Sequence, residues 1–151
     1  MIYLDNASTT KVHEEVLEAM QPFFTKEYAN PSSLHSFAKR SNDAIENART
    51  IIADKLQVAP EEIIFTSSAT ESNNLAIRGI AAQYKSGHII TSQIEHLSVL
   101  DTAKALEKQG FKVTYLRPTR EGIIDSKEVE KNITKETFLV SIMHANNEIG
   151  V

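Results

Sequence analysis

The stretch HIITSQIEHLSVLDTAKALEKQG, residues 88–110, shows most clearly how this chain folds. It begins with a short run of β-branched residues, which is typical of a buried strand. A polar turn follows, and apolar residues then recur at three- and four-residue spacings as far as Gly110, a residue type that commonly ends helices. The stretch therefore predicts a strand, a turn and a helix in succession.

The same alternation extends outward in both directions. Upstream, EIIFTSS (62–68) predicts a strand and TESNNLAIRGIAAQY (70–84) a helix. Downstream come the strand FKVTYLR (111–117), the helix SKEVEKNI (126–133) and a last strand from Thr137. Two amphipathic helices, with apolar positions between Val12 and Phe23 and between Phe37 and Leu56, open the chain. Strands that alternate with helices predict an α/β fold with a helix-covered, mainly parallel sheet.

The composition narrows the class of protein. The 151 residues carry a net charge of -4 at pH 7, and no basic stripe marks a nucleic-acid partner. The chain has no cysteine, so it has neither disulfides nor thiolate metal sites, and no other metal site is predicted. No apolar stretch approaches the ~20 residues that span a bilayer, and the start MIYLDNASTT lacks a signal-peptide pattern. We therefore expect a cytoplasmic protein without a membrane or nucleic-acid ligand.

The first stretch that carries chemistry is FTSSATESNNLAIRG, residues 65–79. A strand that passes directly into a helix leaves free backbone N–H groups beside small hydroxyl side chains, which is a favourable place for an anion. The alternative is an ordinary capping box, with Ser68 as the N-cap and Glu71 three residues later. The residues fit both interpretations, and neither a Walker loop nor a GxGxxG pattern is present.

Two more polar clusters follow strand ends. His96 comes just after the strand at 88–93, and Asn147 and Glu148 follow the last strand. A lone histidine in such a place, or paired asparagines in a turn, can be purely structural. His88 opens a strand and is predicted to lie on the surface. Because the carboxyl ends of parallel strands share one edge of a sheet, the three clusters are expected to converge on one ligand site.

Five segments of the sequence resemble those of a known family. The segments YLDNASTT, NPSSLH, FTSSATESNNLAI, IEHLSVL and SIMHANNEIGV are similar, in the same order, to signatures of the cysteine desulfurases, pyridoxal-phosphate enzymes of the class V aminotransferase family. The resemblance covers the whole chain. It implies the fold type I of pyridoxal-phosphate-dependent transferases, with only part of the large domain present.

The resemblance also implies roles for individual residues. Ala69 and Thr70 would hold the phosphate of pyridoxal 5'-phosphate, His96 would stack on its ring and move protons, and Asn147 would hydrogen-bond its ring oxygen. Asn6 and Ala7 would border the substrate. Two positions depart from the family pattern: Ser68 stands where glycine is frequent, and Ala29 precedes NPSS where glycine is usual. A β-carbon at position 68 narrows the allowed geometry of the turn, which would weaken phosphate binding if the family glycine there has a positive φ.

By the same resemblance, residues 1–15 are an amino-terminal segment near the active site and residues 16–151 are the first half of the large cofactor-binding domain. The lysine that binds the cofactor, the aspartate that pairs with its ring nitrogen and the nucleophilic cysteine would all follow Val151, so the chain alone is expected to be inactive.

The expected reaction is removal of sulfur from L-cysteine as an enzyme-bound persulfide, with release of L-alanine. The expected partners are a second subunit in a homodimer and scaffold proteins that accept sulfur for iron–sulfur cluster assembly or tRNA thiolation. The alternatives are another class V activity, such as a selenocysteine lyase or an aminotransferase, and a non-catalytic phosphate-binding or interaction module.

Overall fold

The computed structural model describes residues 2–151, which divide into two compact units, one ending at Phe65 and one spanning Thr66–Val151. The first unit contains two helices, α1 (Glu14–Thr25) and α2 (Ser36–Leu56), and a short 3-10 helix at Pro60–Glu62. Both helices lie where the apolar spacing predicts them. The side chain of His35 begins α2 by accepting a hydrogen bond from the N–H of Ala38 at 3.2 Å.

The second unit is an α/β layer structure. Its elements are α3 (Ala69–Ala81), β1 (His88–Ser92), α4 (Leu97–Lys108), β2 (Lys112–Leu116), α5 (Ser126–Asn132) and β3 (Thr137–Ser141). The strands form a parallel sheet in the order β2-β1-β3, which confirms the predicted fold class. Gly110 has φ +99°, a left-handed conformation that suits glycine. It follows the last residue of α4, Lys108, by two positions, so the helix stops where the sequence predicts.

The core of this unit lies between the sheet and helices α3 and α4. All five residues of β1 are buried, because the strand is central and paired on both edges. Ile89, only 1% exposed, packs in a cluster with Ile77, Val99 and Leu106. The apolar stripes of two helices therefore close over the strand that carries the longest buried run.

The strand predicted within residues 62–68 does not form in the structure, and its apolar part, residues 63–66, shows why. Ile63 has an extended conformation, but the segment has no ladder partner within residues 2–151. The carbonyl of Ile63 instead accepts from the guanidinium of Arg49, and the side chains of Ile64 and Phe65 are 67% and 48% exposed. A β-branched run predicts an extended backbone, whereas a strand also needs a partner, which the run itself does not supply.

This difference gives a testable expectation for amide exchange. We expect the amides of Ile64 and Phe65 to exchange faster than those of β3 by about two orders of magnitude or more, since only the latter lie in a ladder. Hydrogen–deuterium exchange read by NMR on the monomeric protein measures both segments at once. Equal strong protection of both would show that residues 63–66 pair with a strand.

The surface position predicted for His88 is also wrong. His88 is 6% exposed, and its two ring nitrogens contact Thr137 Oγ1 at 2.8 Å and Thr114 Oγ1 at 2.9 Å. The physical reason is topological: β1 lies between β2 and β3, so its first side chain is flanked by both neighbouring strands. The histidine links the three strands at the amino-terminal edge of the sheet, which is opposite the edge predicted to hold the ligand.

No helix in residues 2–151 combines the length and apolar character needed to cross a membrane.

Candidate functional site

The start of helix α3 is capped by its own side chains. Ser68 is the N-cap residue, and its hydroxyl accepts a hydrogen bond from the N–H of Glu71 at 3.2 Å. The carboxylate of Glu71 reaches back to Ser67, accepting from its N–H and from its hydroxyl at 2.7 Å each. The predicted N-cap at Ser68 is therefore confirmed, but the Glu71 carboxylate accepts from Ser67 and not from the backbone of Ser68.

Three donors at this helix start remain free of protein partners. Within residues 2–151, no hydrogen bond engages the N–H of Ala69, the N–H of Thr70 or the Thr70 hydroxyl. All three groups belong to exposed residues in the first turn of α3. Because the first N–H groups of a helix carry partial positive charge, this turn can accept an anion in addition to its cap.

The two residues that depart from the family pattern, Ser68 and Ala29, have backbone conformations that do not require glycine. Ser68 has φ -167° and ψ 161°, an extended conformation that any residue adopts. Ala29 is likewise absent from the residues with positive φ, of which Gln57 is the non-glycine case within the described chain. A β-carbon at either position therefore causes no backbone strain.

The cap makes the stability of this helix start depend on pH. The hydrogen bonds from Ser67 hold the pKa of the Glu71 carboxyl below its ordinary value of 4.5. A carboxyl with a lowered folded-state pKa stabilises the fold above its unfolded pKa, and this contribution is lost as pH falls through the folded-state pKa. We therefore expect the contribution of Glu71 to stability to be lost below about pH 4.5, so that the overall acid-induced loss is shallower in Glu71→Gln, which keeps an acceptor but cannot titrate.

Urea unfolding of both proteins between about pH 7 and about pH 3 measures this difference. Parallel stability curves for the wild type and Glu71→Gln would contradict the assignment.

His96 begins helix α4 and holds a defined ring position. It is the N-cap residue, and its Nδ1 accepts from the Ser98 N–H at 3.1 Å and lies 2.8 Å from the Ser98 hydroxyl. Asn73 Nδ2 donates to that hydroxyl oxygen at 2.8 Å, so the hydroxyl proton is free to point at Nδ1. With Nδ1 an acceptor, the proton of the neutral ring is on Nε2. His96 thus has the structural role of a cap, and no group in the described chain accepts from the Nε2 N–H of its exposed side chain.

Thr70 and His96 line the same depression on the surface of the second unit. It has a volume of about 320 Å³ and lies where α3 packs against α4. Asn74 also lines it, and its side-chain oxygen accepts from Thr102 Oγ1 and from Arg78 Nε, each at 2.9 Å. The structure therefore brings together two of the predicted site residues, Thr70 and His96, and Ala69 precedes Thr70 in the first turn of α3.

Asn147 is exposed and lies in the loop after β3. Its side-chain amide donates to the neighbouring Glu148 carboxylate at 3.2 Å. It is at the same sheet edge as His96, because both follow the carboxyl ends of adjacent parallel strands. Asn147 makes no hydrogen bond to Thr70 or His96 in the part of the chain that the structure describes, so its predicted function stays a prediction.

The sequence did not identify two buried polar residues at this edge. Asn146 is 8% exposed and donates from Nδ2 to the carbonyl of Ile94 at 2.8 Å. Glu95 is also 8% exposed and accepts from the backbone N–H of Met143 at 2.8 Å. Each precedes a predicted site residue in the chain. The adjacent polar residues were visible in the sequence, but no periodicity there tells which of each pair points inward.

Asn6 and Ala7 belong to the first unit. They lie in an exposed turn in which the carbonyl of Asp5 accepts from the N–H of Ser8 at 3.1 Å. Their role beside a substrate stays a prediction. Within residues 2–151, no group of three or more His, Asp or Glu side chains is arranged to hold a metal ion.

Comparison with known proteins identifies the family of this chain. The profile of the family Aminotransferase class-V matches residues 2–151. The chain belongs to the class-V aminotransferase family. It is 51% identical to "Cysteine desulfurase IscS" of Dictyoglomus turgidum and 53% identical to the IscS of Escherichia coli strain K12 / DH10B, in both cases with 99% of this chain covered. The chain spans 38% of the length of each of these relatives.

Solved structures of similar proteins have the same fold. A structure described as "SspA in complex with cysteine" superposes with a TM-score of 0.92 at 49% identity, over 97% of this chain and 43% of that one. A "NIFS-LIKE PROTEIN" superposes with a TM-score of 0.95 at 44% identity, over 99% of this chain and 42% of that one. These matches support the desulfurase interpretation over the other class V activities and over a non-catalytic module.

Proposed function

We propose that this chain forms part of the active site of a pyridoxal-phosphate-dependent cysteine desulfurase, which takes sulfur from L-cysteine as an enzyme-bound persulfide and releases L-alanine. The observation that carries the proposal is the set of free donors at Ala69 and Thr70, in the first turn of α3, where Thr70 lines one depression together with His96. The solved complex of SspA with cysteine gives independent support for the substrate class.

The donor set at α3 fits a phosphate. The N–H groups of Ala69 and Thr70 and the Thr70 hydroxyl supply three donors without a protein acceptor in residues 2–151. They lie at the positive end of a helix of 13 residues. Glu71 accepts from none of these donors, and its Oε2 is hydrogen-bonded to Ser67 instead. Ala69 and Thr70 would therefore anchor the phosphate of pyridoxal 5'-phosphate.

The remaining predicted residues would orient the cofactor and handle protons. When bound, pyridoxal phosphate supplies an electron sink for the substrate carbon. His96 would lie against its ring, with the Nε2 proton facing outward because Ser98 occupies Nδ1. Accepting a proton at Nε2 requires the other tautomer, which breaks the bond from the Ser98 N–H. Asn147 would donate to the cofactor's ring oxygen, and Asn6 and Ala7 would border the substrate.

Loss of the Thr70 hydroxyl should weaken cofactor retention. In the full-length protein we expect Thr70→Ala to weaken pyridoxal-phosphate binding by about 1–3 kcal/mol, the range for leaving a charged acceptor without a partner. Thr70→Ser is the matched control, because it keeps the hydroxyl. Equilibrium dialysis measures the three affinities. An Ala variant with wild-type affinity, or a Ser variant as weak as Ala, would leave Thr70 without a role in phosphate binding.

The proposed reaction is tested directly on the full-length protein. Purified protein with pyridoxal phosphate, L-cysteine and a thiol reductant should release alanine and sulfide in equal amounts. L-selenocysteine is supplied in parallel, and a higher specificity constant for it would favour a selenocysteine lyase. Formation of a keto acid would favour an aminotransferase, and release of no product from either substrate would contradict the proposal.

The broader setting follows from the same assignment. We propose that the full-length protein is a homodimer in the cytoplasm and that scaffold proteins for iron–sulfur cluster assembly or tRNA thiolation accept its sulfur. The name IscS of the relatives supports the first kind of acceptor.

A further inference from the structure

Two turns meet at the carboxyl edge of the sheet, beyond the point where the strands stop pairing. The last paired residues of β1 and β3 are Thr91 and Ser141, which are also joined by a bond from Thr91 Oγ1 to the Ser141 carbonyl at 2.9 Å. Further on, the chain enters the turn after β1, residues 93–96, and the loop after β3, residues 142–151. Backbone groups there lack ladder partners and need others.

Glu95 supplies the first connection between these two segments. Its Oε1 accepts from the backbone N–H of Met143 at 2.8 Å and from the hydroxyl of Ser92 at 2.8 Å. Ser92 is fully buried, and Glu95 is nearly so. A buried carboxylate that receives two hydrogen bonds forms stronger and more directional links than a neutral group. One side chain thus holds the end of β1 and the segment after β3 at a fixed separation.

Asn146 supplies the second connection, in the opposite direction. Its Nδ2 donates to the Ile94 carbonyl at 2.8 Å, while its Oδ1 accepts from the N–H groups of Glu148 at 2.8 Å and Ile149 at 3.1 Å. The backbone N–H of Asn146 also donates to the carbonyl of Val151 at 2.7 Å. The amide needs both its donor and its acceptor here, so no other residue type of similar size reproduces the set.

The two connecting residues are placed next to the two exposed site residues. His96 follows Glu95, and Asn147 follows Asn146, so each pair has one buried and one exposed member. We infer that Glu95 and Asn146 are positioning residues, which fix the backbones of His96 and Asn147 relative to each other so that both can address one bound group. This inference rests on the proposed function. Neither residue is required to touch cofactor or substrate.

Burying polar residues to connect two segments costs desolvation free energy, and an apolar pair of similar volume often stabilises a fold to the same extent. What Glu95 and Asn146 add is direction and register. Asn73 and Ser98 orient the His96 ring from α3 and α4, whereas Glu95 fixes the backbone from which the ring projects. Loss of Glu95 should therefore disturb the His96 ring even where the core of the sheet is intact.

The test uses three variants of the full-length protein. Glu95→Ala removes both acceptor bonds, and Glu95→Gln keeps an acceptor in the same place. Asn146→Asp keeps the acceptor for Glu148 and Ile149 but removes the donor to Ile94. Glu121→Ala, at an exposed position without side-chain hydrogen bonds in the described chain, is the control.

Three readouts are taken. Amide exchange at Met143, relative to Ile90 in β1, reports the connection itself. Imidazole nitrogen shifts report the His96 tautomer. Turnover of L-cysteine with pyridoxal phosphate reports the consequence as separate kcat and KM values.

We expect Glu95→Ala to speed exchange at Met143 by about 10- to 100-fold with Ile90 unchanged, from the loss of a buried bond to a charged group. The His96 ring should become a mixture of tautomers, and kcat should fall more than KM rises. Glu95→Gln should restore all three readouts towards the wild type. Asn146→Asp should lower kcat while Ile90 stays protected, and Glu121→Ala should match the wild type.

Unchanged Met143 exchange and an unchanged His96 tautomer in Glu95→Ala would overturn the inference, as would a Gln variant no better than Ala. If Glu95→Ala does not fold, Asn146→Asp with wild-type kcat would overturn it. A wild-type protein that neither binds pyridoxal phosphate nor consumes L-cysteine would overturn the proposed function instead, because exchange and tautomer still report on the two positioning residues.

Discussion

Replacing His96 with glutamine is expected to lower turnover of L-cysteine by the full-length protein by about 10²- to 10⁴-fold, the usual contribution of a general acid–base group. Glutamine can donate a hydrogen bond from this position, but it cannot take up and release a proton near neutral pH. Phosphate anchoring should persist, since the donors of Ala69 and Thr70 are on a different helix from His96. The loss should therefore appear in kcat, with little change in cofactor retention.

Steady-state kinetics and dialysis of the same preparations measure both quantities. His13→Gln is a matched control, because His13 is exposed and caps α1 without a side-chain hydrogen bond. A His96 variant that loses the cofactor but keeps its residual chemistry would reverse the assignment and make His96 a binding residue. Full activity without His96 would reduce it to the N-cap of α4.

Replacing Ile89 with alanine is expected to have the largest effect on stability. Ile89 is 1% exposed in the central strand and packs against residues of α3 and α4. Truncation of a buried isoleucine to alanine costs about 2–5 kcal/mol, because it loses apolar burial and leaves a cavity. Ile89→Val should cost only about 0.5–1.5 kcal/mol.

Urea unfolding with a constant m-value measures these costs. Ile133→Ala is the control, since Ile133 is 52% exposed and its truncation should stay within about 0.5 kcal/mol. Equal losses at Ile89 and Ile133 would contradict the position of the core.

Local sequence predicted the elements whose formation depends on local pattern. The β-branched runs predicted β1, β2 and β3, and the helical spacings predicted all five α-helices. The strand prediction for residues 63–66 was wrong because a strand needs a neighbouring strand to hydrogen-bond with. The surface position predicted for His88 was wrong for a related reason. The strand order in the sheet, β2-β1-β3, differs from the order in the chain and places its side chain between two strands. Both are properties of long-range pairing.

For the candidate site, the sequence predicted which residues belong to it but not how their side chains are oriented. Strand ends, a capping pattern and the family resemblance pointed to Ala69, Thr70, His96 and Asn147 from the amino-acid sequence alone. What they could not give is orientation: that the ring of His96 is tied to Ser98, and that Glu95 and Asn146 point inward. These facts depend on which backbone groups are left without ladder partners, and only the folded arrangement shows that.

A crystal structure of the full-length protein with pyridoxal 5'-phosphate would show whether the first turn of α3 is the phosphate site, on which the proposed function depends. We predict phosphate oxygens at hydrogen-bond distance, about 2.7–3.2 Å, from the Thr70 hydroxyl and from the N–H groups of Ala69 and Thr70, with the ring against His96. A cofactor bound with its phosphate away from this turn, or with His96 out of contact with its ring, would refute the assignment.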